Sequence, residues 1–213
     1  AHNGWALDTV WNPSGDHVIS VGRDRTAKLT EVATQRFIDN VTSITPGALK
    51  GGVATVDTHP KRDEIIIGGA DGVPKLFRIF RITKRVIGDN ANLIRELAPL
   101  RGVVFSVDYS EDGRRAVAGS SLDGKGDIIV YDTDIDTAAP EDIKKILAKR
   151  VQKQSAKEKK DVAAYQKKSL PVIARIPVED AGIYAVRFSP DGKQVVAGGS
   201  NGKIRIYETE SGK

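Results

Sequence analysis

Four segments of the chain repeat one pattern of apolar and polar positions. Each segment begins with an alternating strand that ends in a turn, continues with a short and almost wholly apolar strand, and closes with a second alternating strand. Alternation at period two predicts a half-buried strand, and an unbroken apolar run between turns predicts a strand buried on both faces. Each segment is therefore predicted to form a three-stranded antiparallel meander. The aligned first strands are 6–11, 53–58, 104–109 and 183–188.

Turn residues separate the strands at matching places in the four units. The first turn is marked by Pro13, Pro60, Glu111 and Pro190, at intervals of 47, 51 and 79 residues. A later turn carries a short polar side chain that can bond nearby backbone, so we predict structural roles there. These turn residues are Asp24, Asp71, Asp123 and Asn201. A fourth strand per unit fits in 35–44, 86–97 and 172–178, with no residues left to supply one for the last unit.

The repeated units resemble the WD40 family of β-propellers. Tyr131-Asp132 and Tyr207-Glu208 stand where that family usually has a Trp-Asp pair, with Phe77-Arg78 and Thr30-Glu31 as weaker versions. A WD40 unit takes about 40–45 residues, so the first two intervals imply modest loop additions and the third a long one. The resemblance implies an all-β, WD40-type propeller segment of four blades. The expected blades are about 1–50, 51–101, 102–181 and 182–213.

Two departures from the family pattern concern the polar network and a possible cofactor. The Gly-His pair ahead of each blade survives at best as residues 2–4, so the family's Asp-His-Ser-Trp tetrad is expected to be incomplete. The segments 5–15, 21–28 and 105–109 resemble bacterial WD40 proteins that also carry a c-type haem domain. That likeness implies export to the periplasm. The chain has no cysteine, hence no Cys-x-x-Cys-His haem motif, and no cofactor is predicted.

Four blades form an incomplete ring, because this family resembles rings of seven or eight blades more often. An unclosed row leaves two apolar blade faces exposed, which is an aggregation hazard. The chain starts at Ala1 without a methionine, which favours an excised piece of a longer product. We therefore expect missing blades, or alternatively a second copy or a different chain, to complete the ring.

The net charge of +5 is concentrated in one segment. Residues 140–168 carry +6 and the rest of the chain −1. A helix is predicted across 139–168 because Pro140 suits the first helical position and Ile143, Leu147 and Val151 recur at i+4, although this periodicity lapses beyond Gln154. The segment is either a solvated helix packed on its own propeller or a docking arm. The candidate docking cations are Lys144, Lys145, Lys149, Arg150 and Lys153.

Candidate contact residues lie near the starts of the first strands. The family resemblance places Trp5, Leu7, Phe105 and Tyr184 near the central channel and the top surface, where exposed aromatics would anchor a partner. The alternative is that they fill the channel or pack between blades. Arg23 and Arg25 flank a turn, where they would bind carboxylates or simply face solvent. Core positions between blades are predicted for Trp11, Tyr109 and Phe188.

No arrangement of residues indicates catalysis or metal binding. The three histidines fall at unrelated places of separate units, and no nucleophile, base and oxyanion set assembles. No apolar run reaches the ~18 residues of a membrane span, and no nucleic-acid motif accompanies the lysines, so neither partner is expected. The expected function is a non-enzymatic scaffold for protein partners. A self-associating half-propeller is the alternative, and an enzyme with its site in the channel is the weakest hypothesis.

Overall fold

The described part of the chain is almost entirely antiparallel β-sheet. The computed structural model describes residues 2–43, 51–84 and 89–213. Within these ranges it has four sheets, three with four strands and one with three, and each sheet is a continuous stretch of sequence. This all-β arrangement is consistent with the WD40 propeller-like fold that the resemblance implies.

The strands follow one another along the chain and across each sheet. Sheet 1 contains β1 (Ala6–Trp11), β2 (His17–Gly22), β3 (Ala27–Glu31) and β4 (Phe37–Asn40). Sheet 2 contains β5 (Val53–Thr58), β6 (Glu64–Gly69), β7 (Lys75–Arg78) and β8 (Leu93–Glu96). Sheet 3 contains β9 (Val103–Tyr109), β10 (Arg115–Ser121), β11 (Gly126–Asp132) and β12 (Val172–Val178). Sheet 4 contains β13 (Ile183–Phe188), β14 (Gln194–Gly199) and β15 (Ile204–Glu208).

Outer strands lie in the segments proposed for them from sequence. β4, β8 and β12 pair with the third strand of their sheets. Residue 44 of the first proposed segment and residues 86–88 of the second lie outside the described residues. Sheet 4 has no outer strand within the described ranges, so the edge of β15 is unpaired there.

Consecutive sheets pack face to face through their first strands, which we call the inner strands. β5 contacts β1 on one side and β9 on the other, and β13 contacts β9. Each sheet thus has a back face toward the preceding sheet and a forward face toward the following one. β6, the second strand of sheet 2, has sheet 1 on one side and sheet 3 on the other. This explains why it is buried along its whole length.

The contact between two consecutive sheets, here called a junction, is an apolar core. At the junction of sheets 2 and 3, Ile66 and Leu76 of one forward face pack with Val107 and Tyr131 of the next back face. Glycine allows this close approach, because a Cβ at Gly68 would meet Val104 Cγ1 at 2.4 Å. The same position in sheet 3 is Gly119, where a Cβ would meet Ile183 Cγ2 at 2.8 Å.

The forward face of sheet 4 is apolar and uncovered. Ile204 occupies the position of Ile128 in sheet 3, since the two pair with the equivalent Gly198 and Gly119. Ile128 is 0% exposed whereas Ile204 is 71% exposed. Its neighbours Val196 and Ile206 are exposed as well. The face therefore has the composition of a junction, although no sheet within the described ranges follows it.

The back face of sheet 1 is uncovered in the same way. The predicted core position of Trp11 is wrong, because its side chain is 58% exposed. The prediction is confirmed for Tyr109, which is buried, and Phe188 packs partly buried against the core between sheets 3 and 4. Trp11 is exposed because this position faces the preceding sheet, and no described residues lie there for sheet 1.

Two short helices separate β11 from β12. α1 spans Glu141–Leu147, a 3-10 turn follows at Val151–Lys153, and α2 spans Ala156–Gln166. α1 ends before Lys149, so of the five predicted docking cations Lys149 and Arg150 lie in the connection and Lys153 lies in the 3-10 turn. The longer helix forms where apolar periodicity lapses, because the Ser155–Glu158 capping box starts it.

Matched substitutions at the two equivalent isoleucines test the difference between a junction and an uncovered face. Ile128→Ala is expected to lower the free energy of unfolding by about 2–5 kcal/mol, because it leaves a cavity in a closed core. Ile204→Ala is expected to change it by less than about 0.5 kcal/mol, as for an exposed site. Urea unfolding of dilute chain measures both values. Equal losses would contradict an uncovered sheet 4.

Candidate interaction surface

Every inner strand contains a β-bulge at the same position. The pairing of β1 with β2 skips Leu7, since Ala6 faces Gly22 and Asp8 faces Val21. The other inner strands skip one residue at the equivalent place, and these bulge residues are Ala54, Phe105 and Tyr184. A bulge redirects the side chain of the extra residue away from the regular pleat. Four residues are thereby removed from the two packing faces of their sheets.

The bulge residues form a row, because their strands follow one another from sheet 1 to sheet 4. Leu7, Phe105 and Tyr184 are exposed and Ala54 is half-buried. The rings of Phe105 and Tyr184 meet edge to face with their centroids 4.9 Å apart. Exposed apolar side chains in a fixed mutual arrangement are suited to anchoring a partner. We call these four residues the bulge row.

Trp5 and Arg23 lie beside the first bulge. The Arg23 backbone N–H donates to the Trp5 carbonyl at 2.9 Å, and the Arg23 guanidinium lies 5.0 Å from the centre of the Trp5 ring. Trp5 remains the more exposed of the two tryptophans. Arg25 lies in the same turn with a φ of 66°. The structure thus brings Trp5, Arg23 and Arg25 together at the sheet 1 end, separate from the Phe105–Tyr184 pair.

His2, from the segment 2–4 in which the sequence keeps the remnant of a Gly-His pair, bonds two side chains of sheet 1. Its Nδ1 lies 2.9 Å from Asp24 Oδ1 and its Nε2 lies 2.8 Å from Ser20 Oγ, while Thr26 Oγ1 donates to Asp24. These are the residue types of three members of the tetrad in the WD40 family that the chain resembles, and Thr30 stands where that family has the tryptophan. Burial tends to raise the pKa of Asp24, but the bonds from His2, Thr26 and the Asn3 N–H outweigh it and lower the pKa to about 2.

The other predicted turn residues make different contacts. Asp71 accepts from the Val73 N–H and pairs with Lys75. Asn201 donates to Asp180 and accepts from the Lys203 N–H. Asp123 is exposed with a φ of 49°. The bonds of Asp71 and Asn201 hold their turns in place, and none of the bonds described joins the four positions into a common site.

Side-chain acceptors on the inner strands bond backbone N–H groups of the next sheet. In sheets 1, 2 and 3 the acceptor is the residue directly after the bulge. Asp8 Oδ2 accepts from the Val56 N–H at 3.0 Å, Thr55 Oγ1 from the Val107 N–H at 3.3 Å, and Ser106 Oγ from the Val186 N–H at 3.1 Å. These inter-sheet bonds tie each bulge to the neighbouring sheet. The sequence signal was a polar residue at one fixed position of an apolar strand.

A second set of inter-sheet bonds uses carboxylates two residues further along. Asp57 Oδ2 accepts from the Tyr109 N–H, and Asp108 Oδ2 from the Phe188 N–H, both at 2.7 Å. Sheet 4 has Arg187 at this position, and its guanidinium turns back to the Val107 carbonyl at 3.2 Å. The series of acceptors therefore stops at sheet 3.

Burial raises the pKa of both carboxyl groups, that of Asp108 to about 6, because desolvation disfavours the charged form. Backbone N–H bonds from Tyr109 and Phe188 lower both pKa values in part. Asp57 raises the pKa of Asp108 by repulsion, and Arg187 lowers it by attraction. The junctions thus contain carboxylates that carry their charge at an energetic cost.

His59 links sheets 2 and 3 on the side of the first turns. Its Nδ1 accepts the N–H groups of Lys61 and Arg62, which places the proton on Nε2, and this donates to the Gly113 carbonyl at 3.1 Å. Burial lowers the pKa of His59. These bonds support a structural role, in agreement with the sequence expectation that the histidines do not converge.

Neither a metal cluster nor a membrane helix is found in the described ranges. No group of three or more His, Cys, Asp or Glu side chains there could hold a metal ion. None of the helices described is long and apolar enough to cross a membrane. A c-type haem, which the bacterial resemblance would bring, has no attachment site here because the chain contains no cysteine.

A WD-repeat family model matches two stretches near the ends of the chain. The model of the family described as WD domain, G-beta repeat matches residues 1–30 and residues 172–208. The first match covers most of sheet 1, and the second joins β12 to sheet 4. No curated protein matches the chain significantly.

Replacing Asp108 by Asn is expected to stabilise the protein at neutral pH. The Asp108 carboxyl group has a pKa of about 6 in the fold against an ordinary 3.8. Its contribution to the free energy of unfolding is therefore fully present below pH 3.8 and is lost as the pH rises through about 6. Asn keeps an oxygen acceptor for the Phe188 N–H without the buried charge. Asp108→Asn is therefore expected to raise the free energy of unfolding by about 1–2 kcal/mol at pH 8, and the difference from the wild type should disappear below pH 4.

Urea unfolding at several pH values measures this gain. Asp123→Asn, at an exposed turn where Asn tolerates a positive φ, is the matched control and should change little at any pH. Destabilisation by Asp108→Asn across the whole range would contradict a costly charge at this junction.

Proposed function

We propose that this chain is a protein-interaction scaffold of the WD40 class, in which the bulge row binds a segment of a partner protein. The two repeat matches support the WD40 family, whose members are generally non-enzymatic interaction scaffolds. The observation that carries the proposal is the bulge at one position in all four inner strands. It supplies side chains that the sheet cores do not use.

The inter-sheet bonds support binding by keeping the row rigid. Asp8, Thr55 and Ser106 each follow a bulge residue directly, and each bonds the next sheet. The bulge residues are thereby fixed relative to one another before a partner arrives. A site that is ordered in advance binds more tightly, since less conformational entropy is lost on association.

The chemistry of the row favours a segment with an apolar or aromatic side chain beside a carboxylate. Phe105 and Tyr184 provide an aromatic pair for an apolar anchor. Arg23 and Arg25 provide guanidinium groups at the sheet 1 end, where a carboxylate can be held by two parallel N–H bonds. An extended peptide that crosses the inner strands from sheet 1 to sheet 4 would reach both.

The bacterial origin of the protein, its export and its exact blade boundaries are also proposals. The likeness of residues 5–15, 21–28 and 105–109 to bacterial WD40 proteins with a haem domain favours a part of a larger, exported bacterial protein. The blade boundaries at about 50, 101 and 181 likewise stay predictions. In this proposal the scaffold works with other blades, whether they are its own or a partner's.

Self-assembly is a second candidate function, favoured by the uncovered forward face of sheet 4. A second copy could place the back face of its sheet 1 there, with Trp11 against Ile204 and Ile206. Two such contacts between two copies would give a ring of eight blades. Such a junction would lack part of the usual bonding, because Ala185 and Arg187 replace the acceptors of the other sheets. We therefore expect a weaker contact than the internal junctions.

Truncating the aromatic pair tests the scaffold proposal. Peptides are selected from a random display library on the wild-type chain, and their affinity is measured by fluorescence polarisation. Phe105→Ala and Tyr184→Ala are each expected to weaken binding at least about tenfold, as at an interface hot spot. Val172→Ala, at an exposed apolar residue of β12, is the control and should keep wild-type affinity. Peptides that bind all variants equally would contradict a site at the bulge row.

Solution mass tests self-assembly. Light scattering during size exclusion is expected to give a species of twice 23.0 kDa at high concentration, with dissociation on dilution. Ile204→Glu is expected to remove that species, because a charge would be buried against an apolar face. Glu replacing Ile82, which is exposed outside this face, should leave it intact. A monomer at every concentration would contradict the second candidate and leave the first unaffected.

A further inference from the structure

The helical insertion is anchored on the neighbouring sheet. α2 contacts β8, the outer strand of sheet 2, although the chain enters and leaves the insertion from sheet 3. Gln166 Nε2 donates to the carbonyls of Asn90 and Leu93 at 3.3 Å, and the guanidinium of Arg95 lies 3.8 Å from the ring centre of Tyr165. The helix is therefore held in a defined orientation and has a fixed outward side.

The two sides of α2 differ in composition. An α-helix turns by about 100° per residue, so Val162, Ala163 and Gln166 share one side. That side lines a cavity of about 150 Å³ together with Leu147 and Val151. The opposite, outward side of α2 and the two residues that follow its last residue, Gln166, together carry four exposed cations and the half-buried Asp161. These cations are Lys157, Lys160, Lys167 and Lys168.

The positive charge of the insertion is largely uncompensated. Lys144 pairs with Glu141 and Lys149 with Glu158. The other cations of the insertion make no ion pair with any residue in the described ranges. They are Lys145, Arg150, Lys153, Lys157, Lys159, Lys160, Lys167 and Lys168. Unpaired like charges on one short segment repel each other and attract a partner of opposite charge.

We propose that the outward side of α2, with the adjoining turn at Arg150 and Lys153, binds an acidic segment of a partner protein. This surface is separate from the bulge row and does not depend on it. Nearly all of its cations are lysines, which act as point charges and suit a flexible row of carboxylates. The partner would neutralise the segment that accounts for the net positive charge of the chain.

The same observations disfavour the two other anionic macromolecules. Nucleic-acid surfaces combine cations with aromatic rings on which bases stack, and the one aromatic side chain of α2, Tyr165, is covered by Arg95. Membrane-surface helices place large apolar residues opposite their cations. The one large aliphatic residue of α2, Val162, instead lines the cavity against sheet 2.

Charge removal on the outward side tests the proposal. The probe is a fluorescein-labelled polyglutamate of about 20 residues, and binding to the full chain is followed by polarisation over a range of salt concentrations. The variant replaces the four outward lysines by Gln, which keeps the helix because Gln is a good helix former. It is expected to bind at least about tenfold more weakly, with a smaller dependence on salt. Unchanged circular dichroism establishes that α2 is retained.

The control removes the same amount of charge elsewhere. Its exposed positions are Lys61, Lys84, Lys193 and Lys213, each replaced by Gln. It should bind polyglutamate as the wild type does. Equal weakening in the control, full binding by the α2 variant, or absence of binding by the wild type would overturn the proposed surface. Tighter binding of oligo-dT or of phosphatidylserine vesicles at the same salt concentration would overturn the acidic protein segment as partner.

Discussion

The structure depends on one repeated contact, the junction between the inner strands of consecutive sheets. Apolar side chains from a forward and a back face close the core of each junction, and glycine at positions such as Gly68 allows the backbones to approach. In sheets 1, 2 and 3 a polar side chain directly after the bulge then bonds the next sheet. Apolar packing gives most of the free energy, and the directional bonds fix the register of one sheet against the next.

The junction also connects stability with binding. A bulge would cost stability if it merely disrupted the ladder, but here the residue beside it forms the inter-sheet bond. The same local distortion therefore frees a side chain for a partner and fixes its position. The cost appears elsewhere, in carboxylates such as Asp108 whose pKa is raised by burial. Conversely, the faces that have no junction, around Trp11 and Ile204, expose side chains of a kind that junctions bury.

Much of this arrangement could be predicted from the sequence, because strand periodicity and turn residues are local signals. The meanders and the outer strand β12 follow directly from them. Trp11 was misjudged because its burial depends on a neighbouring sheet and not on its own strand. The segment of His2 was identified as the remnant of a Gly-His pair, but its bonds to Asp24 and Ser20 were not predicted, because they join residues about twenty positions apart. α2 was underestimated because its start is set by a polar capping box, which an apolar pattern does not reveal.

Amide hydrogen exchange at the inter-sheet bonds tests the central role of the junctions most directly. The N–H groups of Val56, Val107 and Val186 donate to acceptors on the preceding sheet. If the junctions hold the molecule together, these amides exchange only through global unfolding, as slowly as the central ladder of β10. Exchange of these three amides as fast as that of the exposed Gly202 turn, while β10 stays protected, would show that the sheets separate in solution and would contradict this account.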